Sequence, residues 1–170
     1  MDMKKIFFAL AFISVLSIAS AELFYFRFHT YFIENEVQEA FPAPTTTRGG
    51  LEGDSIKADA PSVVATGQFT KVDAIHKGSG VAKLIKQGEK LFLSLEDFQV
   101  TNGPDLHVYL SDAVTPGKDL ASLGNFEDLG LLKGNVGNQY YEVPDVTSAY
   151  RTVVIWCQSF GVLFSFAGMR

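Results

Sequence analysis

The residue whose type most directly permits chemistry in this chain is Cys157, the only cysteine, which stands next to the only tryptophan, Trp156. One cysteine cannot form a disulfide within the chain, so its chemistry would be that of a free thiol or of a ligand. The residues around it predict two β-strands, Val153–Cys157 and Val162–Phe166, joined by a turn at Gln158–Ser159. The thiol is therefore expected at the end of an apolar strand.

Side-chain alternation along this strand separates Cys157 from Trp156. Successive residues of a strand point to opposite faces, so Cys157 shares a face with Val153 and Ile155, and Trp156 shares the other with Val154. Two apolar neighbours predict a buried thiol, and burial raises the pKa of a thiol and makes it inert. A small core residue and a redox-active thiol are both consistent with this position.

Two histidines are candidate partners for the thiol. His76 lies in a predicted loop before Gly78–Gly80, where its ring could lower the pKa of a thiol or share a metal ion with it. An ordinary turn histidine is the alternative interpretation. His107 alternates onto the polar face of the predicted strand Leu106–Leu110 and is expected at the surface.

The spacing of these ligand types argues against a metal site. One cysteine and two histidines do not supply the four ligands with paired short gaps that structural zinc requires. The C-x-x-C-H attachment motif of c-type haem is absent from the sequence. Haem held non-covalently by Cys157, with His76 or His107 opposite, is the alternative that this spacing leaves open.

Short β-rich runs separated by turn residues must position these side chains. Lys90–Phe98 alternates with a period of two, as a half-buried antiparallel strand requires, and Gln87–Glu89 before it is a predicted hairpin turn. Residues 112–134 are loop-rich. The pattern predicts an all-β fold, an antiparallel β-sandwich or small barrel of about seven or eight strands. The strands expected before Val153 cover 65–70, 80–86, 90–98, 106–110 and 139–143.

The N-terminal residues predict export from the cytoplasm. Lys4 and Lys5 precede an uncharged apolar run, and Ala19–Ala21 has the A-x-A form that signal peptidase accepts. Read on through Glu22, the apolar stretch reaches about 21 residues, enough to cross a bilayer. The alternatives are an uncleaved single-pass anchor with an extracytoplasmic C-terminal domain, and a secreted or periplasmic protein cleaved after Ala21.

The chain divides into three predicted regions. Residues 1–28 form the membrane-spanning or signal helix, and residues 29–62 form a membrane-proximal segment and a linker rich in proline, threonine and glycine. A short helix or turn is expected within residues 29–41. Residues 63–170 form the β-domain, whose stability must come from burial of apolar side chains. A net charge of −5 with no basic stripe argues against nucleic acid as a partner.

Three stretches stand in a characteristic order, Asp73–Gly80, Leu95–Ser111 and Val153–Phe164. Their order and spacing resemble the DM-thirteen electron-transfer domain, the module that accompanies DOMON domains in Skeletor-type proteins. The resemblance covers nearly all of residues 63–168. It implies a β-sandwich-like domain with a redox role, in which the family's cysteine falls on Cys157 as a bare thiol or as a ligand to a prosthetic group such as haem.

Two functions are therefore predicted as alternatives. The first is a membrane-anchored, extracytoplasmic domain that transfers electrons through Cys157, with His76 as the candidate partner and with an unidentified redox partner protein. The second is a non-enzymatic binding or interaction module of the cell envelope in which Cys157 only fills the core. Neither requires a stand-alone enzyme, and the cofactor is left open, with haem implied only by the resemblance.

Overall fold

A computed structural model describes residues 34–42, 60–144 and 149–170. The predicted signal or anchor helix and most of the predicted linker lie outside the described residues. Among the described residues, no helix has the length and apolar character needed to cross a membrane. Apart from Asn102–Pro104, the described residues form one compact unit.

The described residues contain nine strands and one short 3-10 helix, so the predicted all-β class is confirmed. The count of seven or eight strands was too low, because β1 precedes the linker and β6 lies in the stretch expected to be loop. The strands are β1 (Glu36–Gln38), β2 (Ser62–Lys71), β3 (Gly78–Gln87), β4 (Lys90–Val100), β5 (Leu106–Ser111), β6 (Phe126–Leu131), β7 (Val136–Val143), β8 (Thr152–Cys157) and β9 (Val162–Gly168), and the 3-10 helix is Leu120–Leu123.

All nine strands belong to one sheet, in the order β1-β7-β4-β3-β2-β9-β8-β5-β6, which curls into a half-barrel. Neighbours are antiparallel except for β1, which runs parallel to β7. The predicted hairpin between β3 and β4 is confirmed, with Gln87 opposite Lys90. Gly88 supplies the positive φ of 61° that a two-residue turn of this kind needs at its first position.

Strand β4 is buried on both faces, not on one as its alternation predicted. Leu93 and Leu95 are fully buried in the inner core, but Phe92 and Ser94 on the other face are buried as well. Phe41, which follows β1, covers this second face, and its ring meets Phe92 edge-on at a centroid distance of 5.7 Å. The cover comes from a distant part of the chain, so the local pattern of β4 does not reveal it.

Strand β8 is the most enclosed element of the sheet, because all six of its residues are buried. Val153, Ile155 and Cys157 belong to the inner core cluster, while Val154 and Trp156 belong to a second cluster on the outer face. The predicted separation of Cys157 from Trp156 is therefore confirmed. The fully buried Leu123 of the 3-10 helix belongs to the outer cluster, so the long connection between β5 and β6 covers this face.

Strand β1 lies within residues 29–41, where a short helix or turn was expected. It pairs with β7 from Glu36 opposite Val136 to Gln38 opposite Asn138. Gly137 permits this approach, since it has a φ of 107° and a Cβ added there would lie 2.0 Å from the carbonyl oxygen of Val37. The absence of a side chain at Gly137 therefore lets β1 pair with the edge of β7.

Replacing Gly137 with alanine should release β1 from the sheet. Gly130→Ala is a matched control, because Gly130 also has a positive φ of 99° but its added Cβ would meet nothing within 4 Å. Backbone strain of about 1–3 kcal/mol should lower the free energy of unfolding of both variants. Gly137→Ala alone should lose additional free energy of unfolding beyond this strain. In this variant alone, β1 should also lose its protection from amide hydrogen exchange. Equal losses in urea unfolding, with β1 still protected, would contradict this account.

Tyr141 is a residue of β7 whose buried side chain hydrogen-bonds to the connection between β6 and β7. Its hydroxyl donates to Oε1 of Gln139 at 2.8 Å and accepts from the N–H of Lys133 at 3.1 Å. Burial raises the pKa of Tyr141 well above its usual value, and the charge of Glu39 adds to the increase. The native state therefore keeps this proton at a pH where the unfolded state has lost it.

The free energy of unfolding should consequently fall as the pH rises above about 10, the ordinary pKa of a tyrosine. The unfolded state then binds fewer protons than the native state, and linkage favours unfolding. Tyr141→Phe should be less stable than the wild type by about 1 kcal/mol at pH 7, because a buried hydrogen bond is lost. The two stability curves should converge above pH 10 in denaturant titrations. Curves that stay parallel would show that Tyr141 does not carry the effect.

Candidate functional site

Cys157 is the last residue of β8, the seventh of the nine strands in the order of the sheet. It lies opposite Leu106 of β5 and Val162 of β9, and its exposed fraction is 0%. It shares the inner core with Val153 and Ile155, as side-chain alternation predicted. The expected burial of the thiol is confirmed, and its chemical role stays a prediction.

Burial and neighbouring polar groups act on the pKa of Cys157 in opposite directions. Burial raises the pKa of the thiol, and the negative charge of Asp105 adds to that increase. The main-chain N–H groups of Phe160, Asp105 and Ser159 lower it. Since burial is the largest effect, the thiol form predominates at neutral pH.

Asp105 connects the sulfur to a polar cluster at the sheet surface. Its Oδ2 accepts a hydrogen bond from the Ser159 hydroxyl at 2.7 Å, and its Oδ1 lies 3.4 Å from Nε2 of His107. The other ring nitrogen of His107, Nδ1, lies 3.0 Å from Oδ2 of Asp128. His107 was expected at the surface, but its side chain is only 14% exposed because the two carboxylates flank it.

Gln158 joins this cluster to the aromatic residues beside it. Its side-chain amide donates to the Tyr109 hydroxyl at 2.8 Å and to Oδ2 of Asp128 at 3.0 Å. The Tyr109 ring stacks on Phe126 at a centroid distance of 4.8 Å. Burial is the main cause that raises the pKa of Tyr109. The turn after Cys157 is therefore tied to β5 and β6 by side-chain hydrogen bonds.

His76, the predicted partner of Cys157, is engaged with Asp73. Its Nδ1 lies 2.8 Å from Oδ2 of Asp73, and Oδ1 of the same carboxylate accepts the His76 N–H at 2.7 Å. Hydrogen bonds from His76 hold the pKa of Asp73 well below its usual value. The His76 ring meets Phe164 edge-on at 4.6 Å, and Phe164 lies in the same core cluster as Cys157. A direct role of His76 at the sulfur stays a prediction.

The residues around Cys157 do not fit a haem group. The thiol is enclosed by packed core side chains, so a porphyrin could reach the sulfur only if the inner core opened. Of the candidate axial histidines, His107 has both ring nitrogens beside carboxylates, those of Asp105 and Asp128. In the described part of the chain, no three His, Cys, Asp or Glu side chains are grouped to hold a metal ion.

The polar cluster around His107 is the feature that sequence reasoning missed. Alternation placed His107 correctly on the face opposite Leu106, but nothing local indicated two carboxylates beside it. Asp128 reaches the ring because β6 pairs with β5, with Tyr109 opposite Asp128. Glu127–Gly130 has the composition of a turn, which concealed this strand.

Fold and site define a class of small all-β domain whose one thiol is buried where a strand ends. A family model described as Electron transfer DM13 matches residues 68–169, well over half of the chain. The protein belongs to this family, as the resemblance of the three stretches predicted. No curated protein and no solved structure matches the chain.

Thiol labelling should reveal how far the fold shields Cys157. At pH 7 a maleimide should react slowly with the native protein and rapidly once denaturant is added, because the buried sulfur becomes accessible only through opening. The double variant Cys157→Ala with Phe160→Cys is a positive control, since Phe160 is 52% exposed three residues away. Wild-type labelling as fast as that of the control would show that the thiol is accessible in the native state.

Proposed function

We propose that this domain transfers electrons between partner proteins and that the sulfur of Cys157 is its redox centre. Membership in the electron-transfer family supports the first part of this proposal. The observation that supports the second is that the thiol lies in a dry, apolar core, where the main-chain N–H groups of Phe160, Asp105 and Ser159 act against the effect of burial on its pKa. These N–H groups favour loss of the thiol proton, which the proposed step requires, without bringing the sulfur into water.

The proposed reaction is a one-electron step, not thiol–disulfide exchange. Exchange requires a thiolate to attack a sulfur directly, and a sulfur with an exposed fraction of 0% cannot be attacked in the native state. In the one-electron step the thiol of Cys157 loses an electron to a one-electron oxidant on a partner protein and loses its proton, which leaves a sulfur radical. The carboxylate of Asp105, whose charge acts on the sulfur, is the proposed proton acceptor.

The polar cluster gives the proton a route away from the core. Asp105 lies against His107, and His107 lies against Asp128, whose side chain is 35% exposed. A proton accepted by Asp105 can therefore pass through the imidazole to a carboxylate in contact with water. Return of the electron and the proton restores the thiol.

The proposed setting is the outer side of a membrane. The basic residues Lys4 and Lys5, followed by an uncharged apolar run, support export with the N-terminus as anchor, or as a signal cleaved after Ala21. In this position the domain would meet redox partners outside the cytoplasm. Intact mass of the mature protein distinguishes an anchor from a cleaved signal.

A second candidate function is a binding or interaction module in which Cys157 is only a core residue. The full burial of the thiol favours it, because free cysteine commonly serves as a small hydrophobe in protein cores. The two candidates differ in whether the sulfur exchanges electrons.

Replacing Cys157 with alanine should abolish electron exchange. Val153→Ala is the matched control, because Val153 lies on the same strand and face and is also fully buried. Both variants should lose about 1–3 kcal/mol of unfolding free energy through core truncation. A mediated redox titration should remove one electron per chain from the wild type and from Val153→Ala, and none from Cys157→Ala over the same range of potential. Identical titrations of all three proteins would favour the structural role.

A further inference from the structure

A second site lies away from Cys157, in a groove at the end of the half-barrel where β2 meets β9. The groove has a volume of about 820 Å³, within the usual range of small-molecule pockets. Its walls come from β2, from β9 and the residues after it, from the residue before β8 and from the connection after β5. It shares no lining residue with the polar cluster around His107.

Two arginines give the groove its charge. Arg151 and Arg170 both line it, both are exposed, and neither forms an ion pair in the described part of the chain. None of the side chains lining the groove is acidic. Within the described residues, Lys83, Lys90 and Lys133 each pair with a glutamate, whereas Lys71, Lys77, Lys86 and Lys118 form no ion pair. What distinguishes the two arginines is therefore that both line one groove. Unpaired guanidinium groups, in a protein of net charge −5, mark this groove as a place for an anion from outside.

The backbone that carries these arginines is fixed. The N–H of Arg151 donates to the Ser111 carbonyl at 2.8 Å, and its carbonyl accepts the N–H of Met169 at 2.7 Å. The N–H of Arg170 donates to the Thr66 carbonyl at 3.0 Å, and the N–H of Thr66 donates back at 2.9 Å. A site on paired strands holds its geometry better than one on loops.

The rest of the groove combines hydrogen-bonding side chains with an apolar wall. Thr66, Gln68 and Thr115 line it, and within the described residues their side chains make no hydrogen bond, so their polar groups are available to a ligand. Phe166 is partly buried beside them, and Val114 is 65% exposed. A ligand that fills the groove would therefore meet cationic, polar and apolar surface at once.

We propose that this groove binds a small organic oxyanion, a carboxylate or phosphate carried on a partly apolar body. Guanidinium groups bind both oxyanions through paired N–H donors, and the phenyl ring and the valine contact the body. The free hydroxyls and amide fix the orientation of the ligand. This binding is separate from the electron-transfer proposal, since none of its residues touches the sulfur.

Gly168 offers a way to close the groove without disturbing the fold. It lines the groove, it lies opposite Thr152 in the sheet, and a Cβ added there would meet nothing within 4 Å. A leucine at this position would occupy the open space of the groove. Gly168→Leu therefore tests whether the ligand occupies the groove, without changing the charge of the groove.

The test is calorimetric titration of the full-length chain, in a nonionic detergent, with phenyl phosphate and benzoate as anionic probes and benzyl alcohol as the neutral one. At least one anion should bind the wild type with one site, and the tighter of the two identifies the preferred group. Arg151→Gln and Arg170→Gln should each weaken binding about tenfold, and Gly168→Leu should abolish it. Lys86→Gln, which removes one charge at a different cavity, should bind like the wild type.

Four results would overturn the proposal. The first is no binding of either anion, and the second is equal binding of benzyl alcohol. The third is a loss in Lys86→Gln as large as that in Arg151→Gln, and the fourth is full binding by Gly168→Leu. Redox titration of Arg151→Gln should be unchanged, which separates this test from that of Cys157.

Discussion

The structure depends on the burial of strand β8 on both faces. A strand with two apolar faces is stable only when each is covered, because unburied apolar surface costs about 25 cal/mol per Å². The curl of the sheet covers the face of Val153, Ile155 and Cys157, and the long connection that carries Leu123 covers the face of Trp156. The half-barrel, the outer connection and the depth of the thiol all follow from enclosing this one strand.

Enclosure decides what kind of chemistry the thiol can perform. A buried thiol with a raised pKa is a poor nucleophile, so reactions that need direct attack are disfavoured. The main-chain N–H groups of Phe160, Asp105 and Ser159 act against the effect of burial on the pKa of the thiol. Asp105, whose charge also acts on the thiol, contacts His107 and so belongs to the polar cluster at the surface. Asp105 therefore acts both on the buried thiol and on His107 of the surface cluster.

Local patterns predicted much of this arrangement and failed where distant segments meet. The period of two along Leu106–Leu110 and along Val153–Cys157 predicted those strands and their inward faces, and the structure confirms them. The alternation along β4 did not predict that its second face is covered, because the covering residue, Phe41, lies on the other side of the linker in the sequence. Strand β6 was missed because its acidic and glycine residues have the composition of a turn, while its pairing with β5 stabilises it as an edge strand.

By itself the sequence determined the all-β class, the opposite faces of Cys157 and Trp156, the burial of the thiol and the family. The class, the two faces and the burial follow from alternation along single strands, and the family follows from the order and spacing of three stretches of the chain. Tertiary structure alone decided that His107 lies between two carboxylates, that His76 is bound to Asp73, and that two arginines share a groove. The physical reason is that sheet pairing joins residues distant in sequence, such as Tyr109 with Asp128, and no local period records such a register.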